Sequence, residues 1–171
     1  GERQDFARTA LPAGRNPGHG GAIEHPGDRL CDVGRDRGMA LDEGRGIAYI
    51  STGSPKDNFA GNTHRGQNLF ANCVIALDAM TGKRRWHFQE IRHDIWDLDI
   101  PAPPNLVSID WKGKRVDAVA QVTKMGNTLL LDRVSGEPLF PFRLRRAPAS
   151  LLPGERTWPY QPDPELPEPF A

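Results

Sequence analysis

The feature that most constrains the fold is a hairpin plan that occurs three times along the chain. Residues 40–49, 76–86 and 130–139 each contain a strand-like run, an aspartate, a turn with glycine and a second strand-like run. The aspartate can accept hydrogen bonds from turn amides, and the glycine takes the positive φ that closes a short loop. The repetition therefore predicts β-hairpins built on one common unit.

Five segments rich in β-branched, aliphatic and aromatic residues are candidate strands. They are residues 47–51, 73–77, 85–89, 118–123 and 128–131. No segment between residues 39 and 146 has the periodicity of an amphipathic helix. Repeated hairpins without helices predict a β-propeller, because each four-stranded blade buries its faces against its neighbours. We therefore expect an all-β fold, a partial β-propeller of about two to three blades. An ordinary antiparallel β-sandwich is the alternative.

The composition divides the chain into three parts. Of residues 1–38, 17 are Gly, Arg or Pro, and the apolar residues there follow no regular period, so we expect this part to be poorly ordered. Residues 39–146 contain the hairpins and form the predicted partial propeller. Residues 147–171 include seven prolines, which predicts an extended connector.

The charges argue against some classes of partner. The 22 Lys and Arg residues equal the 22 Asp and Glu residues in number, so no excess charge points to nucleic acid.

No apolar run is long enough to cross a membrane, and the chain shows no secretory signal. Cys31 and Cys73 form no CxxC pair, and the sequence leaves their redox state open.

The second hairpin resembles a known repeat. Residues 74–86 are similar to the A-x-D-x-x-T-G-K-x-x-W repeat of dehydrogenases that use pyrroloquinoline quinone (PQQ). The resemblance implies that Trp86 docks onto the next blade, where its indole N–H finds a carbonyl partner. Related eight-bladed scaffold proteins without enzymatic activity carry the same repeat. The repeat therefore indicates an architecture and leaves the choice between enzyme and scaffold open.

A second resemblance is more specific. Residues 93–104 and 122–133 resemble the H-D-x-W-D-x-D-x-P-A-x-P and K-x-G-x-x-x-x-L-D-R pair of the membrane glucose dehydrogenase branch of these quinoproteins. Similarity extends from about Gly38 to Ala171. The resemblance implies PQQ and calcium or magnesium as cofactors, a sugar or polyol as substrate, and a periplasmic or periplasm-facing membrane location.

The resemblance also assigns roles to four residues. Asp97 matches the family's general base, with metal ligation as a further role, and Lys124 matches the cation that faces the quinone oxygens. Alcohol oxidation by a quinone needs both a base for the hydroxyl proton and a cation near the quinone. His93 is a further candidate for the cofactor site. The other readings are an Asp turn cap, a solvated hairpin Lys and a structural His.

Ser54 is the fourth residue and departs from the family pattern. It occupies a position where the family commonly places an Asn near the metal and the cofactor. A hydroxyl is a weaker calcium ligand than an amide carbonyl, so metal ligation by this loop is in question. Asp57 and Asn58 are the nearby residues that could compensate.

The sequence favours part of a PQQ-dependent dehydrogenase that is inactive as an isolated chain. We expect it to associate with further propeller blades or with itself, and its electron acceptor is unassigned. The alternative is a non-enzymatic propeller scaffold or interaction fragment in which Asp97 and Lys124 are remnants.

Overall fold

The computed structural model describes residues 38–57 and 59–168. These residues form nine β-strands: β1 (Met39–Asp42), β2 (Ile47–Ser51), β3 (Cys73–Asp78), β4 (Arg84–Gln89), β5 (Asn105–Trp111), β6 (Lys114–Val122), β7 (Thr128–Asp132), β8 (Phe142–Arg146) and β9 (Tyr160–Pro164). In this part of the chain no helix is long and apolar enough to cross a membrane. The predicted segment 1–38 lies outside the described residues except for its last residue, Gly38.

The strands form three antiparallel sheets. Strands β1 to β4 make a four-stranded sheet in sequential order, β5 to β7 make a three-stranded sheet, and β8 pairs with β9. A four-stranded antiparallel sheet with neighbouring strands adjacent in sequence is the arrangement of a propeller blade. The first sheet therefore corresponds to one blade, and the second sheet follows it.

The turns have the chemistry that the repeated plan predicts. Asp78 Oδ1 accepts hydrogen bonds from the amide of Thr81 at 2.9 Å, and Asp132 Oδ1 accepts one from the amide of Ser135 at 2.8 Å. Gly82 and Gly136 follow with φ of 68° and 75°. These two turns are thus closed in the same way, although after the second turn only an isolated bridge from Leu131 to Pro138 forms in place of a second strand.

A hydrophobic core joins the first two sheets. Its buried residues come from β2, β3, β4, β6 and β7 and from the segment before β5: Ile47, Tyr49, Val74, Ala76, Trp86, Ile100, Val119, Leu129 and Leu131. Trp86 donates its indole N–H to the carbonyl oxygen of Arg133 at 3.2 Å. Tyr49 donates its hydroxyl to the same oxygen at 2.8 Å. The expected docking of Trp86 onto the next blade is confirmed.

Three strands lie outside the segments predicted from sequence, namely β5, β8 and β9, whereas β1 is the first strand of the predicted hairpin 40–49. Strand β9 contains two prolines and lies in the proline-rich segment 147–171. It pairs only with β8 in a two-stranded sheet, where a missing N–H can face away from the partner strand. The division into parts at residues 38 and 146 stays a prediction.

Candidate functional site

Two loops from different sheets meet at the candidate site. The segment 90–104 leaves β4 and carries Asp97 and Asp99, and the turn 123–127 joins β6 to β7 and carries Lys124. The ammonium nitrogen of Lys124 lies 3.0 Å from Asp97 Oδ2 and 3.1 Å from Asp99 Oδ1. It also donates to the main-chain oxygen of Asp97 at 2.6 Å. The structure thus brings together the two residues that the resemblance paired, and it adds Asp99.

Asp94 shapes the loop that presents Asp97. Its carboxylate is fully buried and accepts hydrogen bonds from the amides of Trp96 at 2.8 Å and Leu98 at 2.7 Å. A carboxylate that binds amides two and four residues ahead folds the intervening chain into a tight turn. Asp97 lies inside this turn with φ of 58°, a left-handed conformation that Asp adopts more readily than most residues.

Lys124 is held as a cation. Its hydrogen bond with the Asp97 carboxylate, supported by Asp99, raises the pKa of Lys124 above its ordinary value despite the opposing effect of desolvation. A lysine ammonium has three protons, and the three oxygens named above can accept one each. The side chain is 45% exposed, so a further partner can reach it from solvent.

His93 is placed differently from Lys124. It is buried, and its ring nitrogens Nδ1 and Nε2 lie 2.8 Å and 3.1 Å from the carbonyl oxygens of Gly66 and Gly61. Both nitrogens are therefore engaged with the loop between β2 and β3. These contacts attach the residue before Asp94 to the loop between β2 and β3. The assignment of His93 to the cofactor site stays a prediction.

Ser54 contacts the Asp94 turn. Its hydroxyl is buried and donates a 2.7 Å hydrogen bond to Asp94 Oδ2, which also accepts from Asn72 Nδ2 at 2.8 Å. In this structure the hydroxyl supports the loop that carries Asp97. The roles of Ser54 in cofactor and metal binding stay predictions. Asn58, the residue suggested as a compensating ligand, lies outside the described residues.

Glu90 is a buried carboxylate that the sequence analysis did not single out. Its Oε1 accepts hydrogen bonds from Thr123 Oγ1 at 2.8 Å and from Asn127 Nδ2 at 3.0 Å. Burial raises the pKa of Glu90 to about 7, although these two hydrogen bonds act in the opposite direction. Both partners are more than 30 residues away in sequence, so no local motif marks Glu90 as part of the site.

The donor chemistry of this site fits a quinone more fully than a metal. Lys124 offers N–H donors, which a quinone oxygen can accept in place of a carboxylate oxygen. The described residues contain no group of three or more His, Cys, Asp or Glu side chains arranged to hold a metal ion. Calcium takes about six to eight oxygen ligands, so Asp97 could supply only part of such a site.

Comparisons with known proteins agree with this architecture. A family model described as "PQQ: Glucose/ethanol/alcohol dehydrogenase, beta-propeller domain" matches residues 37–171. The chain is 36% identical over 121 residues to quinoprotein glucose dehydrogenase A of Acinetobacter calcoaceticus, covering 70% of this chain and 15% of that protein. It is 36% identical over 127 residues to the glycerol dehydrogenase large subunit of Gluconobacter oxydans (strain 621H), covering 72% of this chain and 17% of that one.

A solved structure is similar as well. The quinohemoprotein alcohol dehydrogenase from Comamonas testosteroni aligns with a TM-score of 0.56 and 27% sequence identity, over 70% of this chain and 19% of that chain. The chain thus spans less than a fifth of each of the three proteins named.

Proposed function

The chain belongs to the PQQ-dependent glucose/ethanol/alcohol dehydrogenase β-propeller family, and on that premise we propose that it is part of an enzyme that oxidises a sugar or polyol hydroxyl. The observation that carries the proposal is the 3.0 Å contact between Lys124 Nζ and Asp97 Oδ2. These residues are 27 apart in sequence and lie on loops of different sheets. Their contact supports a shared chemical role.

The two residues have complementary tasks in this proposal. When bound, PQQ supplies the quinone that takes up the hydride of the alcohol carbon. An oxygen of the Asp97 carboxylate accepts the proton of the substrate hydroxyl. Lys124 donates a hydrogen bond toward a quinone oxygen and stabilises negative charge there, which requires exchange of one of its three present hydrogen bonds.

Several parts of this proposal rest on resemblance to the family. They are the choice of a sugar or polyol, calcium or magnesium as the metal, the periplasmic or periplasm-facing location, and further propeller blades as partners. The metal assignments of Asp97 and Ser54 belong to the same group.

Replacement of the proposed base is the first test. In the PQQ-reconstituted full-length protein that contains this chain, Asp97→Asn keeps the shape of the side chain and removes the base. Turnover in a dye-linked sugar oxidation assay is expected to fall about 10²- to 10⁴-fold, with bound quinone retained. Asp110→Asn, at an exposed position of β5, is the matched control and should keep wild-type turnover. Near-wild-type turnover of Asp97→Asn would reject Asp97 as the base, whereas a wild-type protein without dehydrogenase activity would favour the scaffold alternative.

Replacement of the cation is the second test. Lys124→Ala removes the ammonium, so both the rate of quinone reduction and the amount of quinone retained should decrease. Lys114→Ala, at an exposed position of β6, is the control for loss of a positive charge. Quinone content and the rate of its reduction are measured by absorbance in each variant. Unchanged retention and reduction in Lys124→Ala would contradict the assigned role.

A further inference from the structure

Glu90 lies at a junction between the two loops of the candidate site. It directly follows β4 and begins the segment that carries Asp97, while its side chain contacts the turn that carries Lys124. Its main-chain N–H donates to the carbonyl oxygen of Asn72 at 2.9 Å, which fixes it to the first sheet. Glu90 therefore connects the first sheet to the β6–β7 turn of the second sheet.

The contacts of Glu90 enclose the turn from both ends. Thr123 and Asn127 are the first and last residues of the turn, and both are buried. The amide of Thr123 also donates to the carbonyl oxygen of Asn127 at 3.0 Å, so one carboxylate oxygen and one backbone bond close the same loop. Lys124 is the next residue after Thr123, and its backbone position depends on this closure.

A second link between the two loops is the group of bonds from Lys124 to Asp97 and Asp99. That link is 45% exposed at Lys124 and is weakened by solvent and salt. In the proposed reaction it must also be partly broken, because Lys124 has to turn one N–H toward the quinone. The Glu90 link is fully buried and is unaffected by that exchange.

We propose that Glu90 is a positioning residue that holds the Lys124 turn against the Asp97 segment while Lys124 exchanges its own hydrogen bonds. The catalytic role of Glu90 rests on the proposed function, whereas its structural link to the Lys124 turn does not. The Glu90 carboxyl oxygen that accepts from Thr123 and Asn127 is buried, so losing either hydrogen bond leaves a buried polar group without its partner and destabilises the link. Glu90 does not touch the reacting atoms.

The structural part is tested by amide hydrogen exchange on the full chain. Glu90→Leu removes the acceptor, so the amides of Thr123 and Gly126 should exchange about tenfold faster or more, while those of β3 stay protected. Glu90→Gln keeps an acceptor oxygen and should preserve the protection of the turn. Thr123→Val removes one of the two donors with little change of shape and should cause a smaller increase, which provides a reading if Glu90→Leu fails to fold.

Gln89→Leu is the matched control. Gln89 is also buried at the end of β4, but it donates to the carbonyl oxygens of Gln67 and Ala71 in another loop. It should leave the exchange of the 123–127 turn unchanged. Equal acceleration in Gln89→Leu, or unchanged exchange in both Glu90→Leu and Thr123→Val, would overturn the proposal.

The catalytic part is tested separately in the PQQ-reconstituted full-length protein. Glu90→Leu should lower kcat with little change in the KM for the sugar, because Lys124 acts on the quinone, and Glu90→Gln should restore most of the rate. A loosened turn with unchanged kcat would overturn the catalytic role. If the wild type itself shows no dehydrogenase activity, the proposed function fails, whereas the exchange result still decides the structural link.

Discussion

At the scale of single residues, the exposed pair Asp97 and Lys124 depends on two buried carboxylates. Asp94 accepts the amides that form the turn around Asp97, and Glu90 accepts the side chains that close the turn around Lys124. An exposed ion pair contributes about 0–1 kcal/mol, which is too little to fix two loops by itself. The geometry of the pair is therefore set by the buried residues beneath it.

The ionisation of Glu90 gives a prediction on stability. Its pKa rises from 4.5 in an unfolded chain to about 7 in the folded one, so the fold retains a proton that the unfolded chain releases. The part of the unfolding free energy that depends on Glu90 should therefore fall by about 3 kcal/mol as pH rises from 4.5 to about 7. Above that pH it should stay constant. Urea unfolding of wild type and Glu90→Gln from about pH 4 to about pH 8 measures this.

The comparison between the two proteins isolates Glu90 from other groups. Burial lowers the pKa of His64 and of His87, so both contribute with the opposite sign in the same pH range. These contributions cancel in the difference between wild type and Glu90→Gln. A difference in unfolding free energy that does not change with pH would contradict the raised pKa.

At the scale of elements, the glycine of the repeated turn meets different steric surroundings in two copies of the hairpin. Gly82 and Gly136 occupy equivalent places and both have positive φ. A Cβ atom at Gly82 would meet no atom within 4 Å, whereas at Gly136 it would lie 2.5 Å from Trp86 Cδ2. The first glycine is needed for the turn alone, and the second also leaves room for the docked indole.

This difference predicts unequal effects of the same substitution. Gly82→Ala should cost about 1 kcal/mol through backbone strain. Gly136→Ala should cost about 2–4 kcal/mol, because the strain adds to a steric clash with Trp86. Urea unfolding of the two variants compares them directly, with Gly82→Ala as the control for strain. Equal costs would show that Trp86 can move aside without loss of stability.

At the scale of the whole molecule, the described chain has exposed apolar side chains on a sheet edge. Strand β1 pairs with β2 on one side and is the edge of the four-stranded sheet, and Met39 and Leu41 on it are 68% and 49% exposed. Unpaired edges with apolar side chains favour association with another strand. In the proposed full enzyme we expect this edge to contact further chain.

The isolated chain is expected to self-associate through this edge. Leu41→Lys places a charge on the edge strand and should shift the chain toward monomer in sedimentation velocity. Leu151→Lys is the matched control, because Leu151 is 98% exposed but lies in a loop. A wild-type chain that is monomeric at high concentration, or an equal effect of both substitutions, would contradict association through β1.

The hairpins and much of the blade follow from the amino-acid sequence alone. The aspartate and the glycine of each turn are only a few residues apart. The local sequence is therefore sufficient to predict the hydrogen bonds and the positive φ of the turn. Strands β2, β3, β4, β6 and β7 were placed within a few residues of their positions for the same reason. The resemblance to the family motifs also predicts Asp97 and Lys124 as a pair, although 27 residues separate them.

The side chains that support this pair are brought to it by the packing of the sheets and could not be predicted from sequence. Asp99 reaches Lys124 across 25 residues, and Glu90 reaches Thr123 and Asn127 across 33 and 37. Such partners are chosen by the packing of one sheet on the next, which depends on the shared core and on the entropy of closing long loops. The residues next to Glu90 in sequence do not predict these partners, because the hydrogen bonds of a carboxylate depend on which turn the fold places beside it.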